Sequence, residues 1–264
     1  MHIHFQDPYR PGISVVHRLD ARVKFVLTLA FILATASAPV GAWPIYVLLL
    51  TLTLSAAIAA ELGVGFLLRR AVLALPFALA ALTVIFTTTG PAWLRLPLGP
   101  WTLTITYPGL ERFASIAVKS WLSVQAAIIL SATTEFSDLL LAMRAVKVPR
   151  LLVAIFGLMW RYLFVLADEA RRLMQAREAR SADPDGRGGG SVAWRGRVTG
   201  GMVGNLFLRG VERSERIYAA MAARGYDGEV RALPLPRLGP GSLMVLIAGL
   251  LLIVSVATLA QLVW

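Results

Sequence analysis

The chain of 264 residues is 57% hydrophobic and only 16% charged, with mean hydropathy +0.69, which excludes an ordinary soluble domain although the length would permit one. Lys and Arg number 26 against 15 Asp and Glu, and the resulting net charge of +11 must face water or anionic headgroups, so charge has to be segregated along the chain. With no cysteine, there is no disulfide framework, thiolate metal site or cysteine nucleophile.

Near the N-terminus, Arg22 and Lys24 precede an apolar stretch that begins at Phe25 and runs into Ala36-Ser37-Ala38, imitating a cleavable signal peptide. The long polar leader and the immediate succession of further spans predict a retained first span instead. Apolar runs near the roughly 20 residues that a crossing helix needs occupy 22–40, 43–60, 67–89, 110–132 and 242–262. Arg18, Arg22 and Lys24 flank the first run, the 38–44 turn is uncharged, and Arg69 and Arg70 follow the second. The positive-inside rule therefore predicts a cytoplasmic N-terminus. The 90–108 segment then lies outside, where Trp93, Trp101 and Tyr107 suit a membrane interface, although loop packing accounts for such aromatics equally well.

A sixth apolar run, 151–167, is short and carries Arg161 near its middle. If it crossed, the arginine-rich segment 168–237 would be exported against the positive-inside bias. The expectation is a helix against the bundle or in the interface that continues into the cytoplasm. This predicts an all-α polytopic membrane protein of about five transmembrane helices plus two or three cytoplasmic or interfacial helices. Its parts are a four-span domain at 1–134, cytoplasmic helices at 135–233, and a last span at 234–264 with an external C-terminus, preceded by Pro234, Pro236 and Pro240.

Pro149 and the linker Asp183-Pro184-Asp185-Gly186-Arg187-Gly188-Gly189-Gly190 divide the cytoplasmic segment into helices at 137–146, about 150–180, and from about 194 or 205 to 224. In the second, Leu163, Leu166, Ala170 and Leu173 keep helical spacing opposite Asp168, Glu169, Arg171, Arg172 and Gln175. In the third, Val203, Leu206, Phe207, Val211, Ile217, Tyr218 and Met221 form the stripe, and Glu212 with Arg216 makes an i,i+4 pair. Both long helices end alike, on Ala176-Arg177-Glu178-Ala179-Arg180-Ser181 and Ala220-Met221-Ala222-Ala223-Arg224-Gly225. Alanines one turn apart allow close backbone approach, and arginine offers a planar five-donor fork to carboxylates or carbonyls. A C-terminal arginine also complements the helix dipole, and Gly225 suits an ordinary C′ position. Recurrence at two amphipathic helices on one side of the membrane favours a pair of docking tips.

Tyr9-Arg10-Pro11-Gly12-Ile13-Ser14 and His17-Arg18-Leu19-Asp20-Ala21-Arg22-Val23-Lys24, the 161–170 stretch, Leu206-Phe207-Leu208-Arg209 and the 220–228 stretch carry a resemblance over nearly the whole chain. The chain resembles the transmembrane coupling component of energy-coupling factor transporters, a branch of ABC importers, and is most similar to the CbiQ type. The resemblance implies two Ala-Arg-Gly tips on crossed coupling helices, each arginine docking into one of two cytoplasmic ATP-binding cassette ATPases. By position, Arg180 and Arg224 take those roles, with Ala176, Ala179 and Ser181 around the first and Ala220, Ala223 and Gly225 around the second. Ser181 departs from the family's glycine. It further implies a substrate-binding membrane subunit such as a CbiM-like protein, contact with membrane lipid, residence in the cell inner membrane, and cobalt or nickel as substrate, with a vitamin importer as the alternative. Hydrolysis of ATP would belong to the partners, and neither a cofactor nor a catalytic or metal-binding residue is expected in this chain.

An intramembrane enzyme would need carboxylates, histidines or metal ligands at membrane depth. The spans offer mainly Lys119, read as snorkelling, and Gln125, read as bonding between helices. The histidines are His2, His4 and His17; the first two could bind a metal but read more simply as solvated. A self-sufficient transporter should show an intramembrane charge or a broken midplane helix, and Pro76 is a kink without a charge. The arginines of the basic segment are interleaved with acids and tied to an apolar stripe, which fits protein and lipid contact rather than nucleic acid.

Overall fold

Capping residues, prolines and apolar runs cut the chain into eleven α-helices and one hairpin in a computed structural model that describes residues 9–98, 101–180, 191–228 and 238–264. Ser181, the 183–190 linker, His2, His4, Pro234 and Pro236 lie outside the described residues. Two units emerge among them, one of residues 9–146 with 238–264 and one of residues 147–228.

In the larger unit a short α1 (Val15–Arg18) leads into α2 (Ala21–Ser37), which opens on Asp20 accepting a hydrogen bond from the Arg22 amide at 2.9 Å. Next come α3 (Trp43–Ala59) and a third run divided into α4 (Val64–Arg70), a 3₁₀ turn (Ala71–Ala74), α5 (Leu75–Ala81) and α6 (Val84–Thr87). Pro76 sits in the first turn of α5, where its missing N–H and fixed φ are tolerated, so the expected kink is realised as a change of helix type. The 90–108 loop contains an antiparallel hairpin, β1 (Ala92–Leu98) with β2 (Trp101–Thr106), the one sheet among the described residues. Thr106 then caps α7 (Tyr107–Thr133), followed by α8 (Phe136–Ala145) and the final α11 (Pro240–Val263).

The five expected spans are all helical, and the chain is an all-α polytopic membrane protein. Val64–Thr87, Tyr107–Thr133 and Pro240–Val263 are long and apolar enough to cross a membrane, as is one helix of the smaller unit, Arg150–Arg180; Trp43–Ala59 is apolar but shorter. The core joins α2, α3, α7 and α11 through Phe31, Leu49, Leu122, Ile253 and Val256. A Cβ on Gly249 would fall 2.7 Å from Leu27 Cδ2, so glycine permits the close approach of α11 to α2. A second cluster, around Leu67, Ile128 and Ile129, ties α4 to α7.

Lysines close the ends of the central helix pair. Lys24 of α2, 8% exposed, donates to the Thr133 carbonyl at the end of α7 at 2.7 Å. Lys119 of α7 donates to the Ala38 carbonyl beyond the end of α2, and to that of Ala36 at 3.4 Å. Lys119 therefore does not snorkel; it satisfies carbonyls that a helix end leaves without partners. Gln125 is fully buried, and among the described residues neither its Oε1 nor its Nε2 has a hydrogen-bond partner, contrary to the interhelical bond expected of it.

Candidate functional site

The smaller unit consists of two helices, α9 (Arg150–Arg180) and α10 (Val192–Ala223). The start of α10 lies at Val192, earlier than either expected position, because the Ser191 hydroxyl accepts the Trp194 amide at 3.2 Å. The helix persists through Gly196, Gly200, Gly201 and Gly204, each about 1 kcal/mol less favourable than alanine.

At one of the contacts between the helices, a Cβ on Gly210 would sit 3.9 Å from Leu166 Cδ2, an ordinary contact distance. Three residues beyond Leu166, Glu169 reaches the two arginines of α10 that stand on either side of Gly210. Its Oε1 accepts from Arg209 Nη1 at 3.5 Å, and its Oε2 lies 3.3 Å from Arg213 Nη1, in ion-pair contact without hydrogen-bond geometry. The glutamate side chain is 12% exposed, so the pair is more shielded than the usual surface salt bridge. Arg180 comes fourteen residues after Leu166, and Arg224 fourteen residues after Gly210. At 1.5 Å per residue both tips stand about 21 Å along their helices from that contact.

The second tip has a defined cap. The Gly225 amide donates to the Ala222 carbonyl and the Tyr226 amide to the Met221 carbonyl, both at 3.0 Å, while Gly225 adopts φ +78°. This is a Schellman termination, with glycine in the left-handed C′ position and Arg224 as the C-cap. Ala220, Ala223, Arg224 and Gly225 are all exposed, as are Ala176, Ala179 and Arg180 on the first tip. Among the described residues neither the Arg180 nor the Arg224 guanidinium has an ion-pair or hydrogen-bond partner.

An apolar groove of about 790 Å³ runs between Leu151–Leu158–Leu166 of α9 and Leu206–Phe207–Ile217–Met221 of α10. Phe207 and Tyr218 stay 69% and 66% exposed, far more than a finished core would leave. The two helix ends and the apolar stripes are legible from residue pattern. The Glu169 bridge is not, although its signal is present: Arg209 and Arg213 stand at i,i+4 on one face of α10.

A family model, CbiQ, described as cobalt transport protein, matches residues 12–234. The cobalt transport protein CbiQ of Rhodobacter capsulatus is 32% identical over 202 residues, covering 76% of this chain and 78% of its own. The energy-coupling factor transporter transmembrane protein EcfT of Ruminiclostridium cellulolyticum is 27% identical over 231 residues, 83% of this chain and 82% of its own. The nickel permease LarQ of Lactiplantibacillus plantarum is 34% identical over 96 residues, 36% of this chain and 33% of its own.

Proposed function

The chain belongs to the CbiQ family of energy-coupling transmembrane components, and from that premise we propose that α9 and α10 are coupling helices whose tips are gripped by two cytoplasmic ATP-binding cassette ATPases. The observation that carries this reading is the pair of exposed arginines, Arg180 and Arg224, whose side chains have no partner among the described residues. A planar guanidinium without an internal partner is free to enter a groove rich in carboxylates or carbonyls. The chain itself is non-catalytic, and ATP hydrolysis belongs to the partners. When ATP closes the ATPases, the tips follow and the helices carry the motion toward the spans. The exposed apolar groove receives a substrate-binding membrane subunit of the CbiM-like kind, which reorients with it. In this topology α9 lies in the interface despite its apolar length, and the N-terminus faces the cytoplasm of a cell inner membrane, because the alternative exports most of the arginines.

The cargo is cobalt. Nickel is the second reading, favoured by the similarity to a nickel permease, and a vitamin the third. Copurification tests the assembly: an ATPase and a second membrane protein should accompany the chain, and nucleic acid should not. Metal uptake by cells expressing the whole complex tests the cargo, and vitamin uptake without metal uptake would overturn it. Arg180→Ala with Arg224→Ala should abolish ATP-driven uptake; normal transport by the double variant would defeat the docking-tip assignment.

A further inference from the structure

Three arginines gather near the junction of α4, the N-terminal signature and the end of α7. Arg10 Cζ lies 3.7 Å from the centroid of the Phe66 ring and Arg70 Cζ 4.7 Å from the same centroid, so one aromatic ring holds two guanidinium groups. The Arg10 amide also donates to the Ala132 carbonyl at 2.9 Å, fixing this segment to α7. Arg69 is adjacent and exposed. Among the described residues no carboxylate pairs with Arg10, Arg69 or Arg70.

Beside them opens a cleft of about 650 Å³, lined by Arg69, Arg70, Val72, Leu73, Pro76 and Ile128. It lies where the third span changes from α to 3₁₀ geometry, and Val72 and Leu73 are 57% and 65% exposed along it. Cationic heads at one end and an apolar wall continuing along a membrane span match a molecule with an anionic head and a hydrocarbon tail. A soluble phosphate would use only the arginines, and a zwitterionic lipid would bring its own cation against them.

We propose that this cleft binds an anionic phospholipid, its phosphate held by Arg69 and Arg70 and an acyl chain laid along Val72, Leu73 and Pro76. The site is independent of the coupling assignment, since none of its residues belongs to α9 or α10. Uncompensated juxtamembrane arginines each contribute about 1 kcal/mol toward anionic lipid, or roughly fivefold in affinity.

The test uses the purified full-length chain in neutral detergent, titrated with phosphatidylglycerol or phosphatidylcholine, with retained lipid counted by native mass spectrometry. Phosphatidylglycerol should be retained in preference. Arg69→Gln and Arg70→Gln should each weaken retention about fivefold, whereas Arg70→Lys should keep most of it. Arg112→Gln, which removes the same charge toward the other end of α7, should change nothing. Millimolar glycerol 3-phosphate should not displace the lipid. Equal retention of the two lipids, an equal loss in Arg112→Gln, or ready displacement by glycerol 3-phosphate would each overturn the proposal. Arg69 is exposed and free of packing contacts to the ring, so its variant remains informative even if Arg70→Gln fails to fold.

Discussion

Lys24 on α2 donates to the Thr133 carbonyl on α7 at 2.7 Å, and Lys119 on α7 returns the favour to Ala38 beyond the end of α2. Each helix of the pair thus supplies the ammonium that closes the other's C-terminus, where final carbonyls have no intrahelical donors. Replacing Lys24 with methionine keeps the packed stem but strands a buried carbonyl. The expected cost is about 1–3 kcal/mol, read as a lower midpoint of thermal unfolding in detergent. An unchanged midpoint would mean that the carbonyl finds another donor.

Gln125→Leu should act in the opposite direction. The amide is fully buried with neither atom bonded, so the substitution removes an uncompensated desolvation and retains volume. A gain of about 1–2 kcal/mol is expected. Loss of stability instead would show that the amide is satisfied in the membrane, and loss of uptake with stability intact would assign it to function.

Gly225 occupies φ +78°, a region that costs a residue with a Cβ about 1–2 kcal/mol. Gly225→Ala should therefore fray the Schellman cap, and the amides of Gly225 and Tyr226 should exchange with deuterium faster. Gly225→Asn should do less, because asparagine tolerates this conformation better. Equal exchange in all three would remove the cap from consideration.

Glu169→Gln removes the charge that faces both Arg209 and Arg213. Since both arginines are substantially exposed, about 1 kcal/mol is the expected effect. The chain has no cysteine, so spin labels placed at Ala176 and Ala220 report cleanly on the tips. Their distance distribution should broaden in the variant, and an unchanged width would assign the alignment to apolar contact alone.

The helices were legible because their signals are local. Alternation of apolar and charged residues marked α9, and Pro149, Pro76 and Gly225 marked boundaries that the structure places nearby. The hairpin at 92–106 is not legible in the sequence because its strands are short and Pro97 lies within the first, which argues against a strand. The role of Lys119 is hidden for a different reason: an isolated lysine in an apolar run looks the same whether it reaches water or a neighbouring helix end, and only the pairing of α2 with α7 decides. Glu169 met the same limit, since its partners lie forty and forty-four residues away. The first tip stays an expectation at Ser181, which falls outside the described residues.

If α9 and α10 are the coupling helices proposed above, their contact at Leu166 and Gly210 would serve as a pivot, with Arg180 and Arg224 each fourteen residues beyond it. Equal pushes on the two arms would then balance as torques about the pivot, so neither helix would be favoured as the driven one. A load on one tip alone would instead twist the pair and be spent against the Glu169 bridge. Shortening one arm by a turn, without touching either arginine, should thus unbalance a device whose parts are all still present.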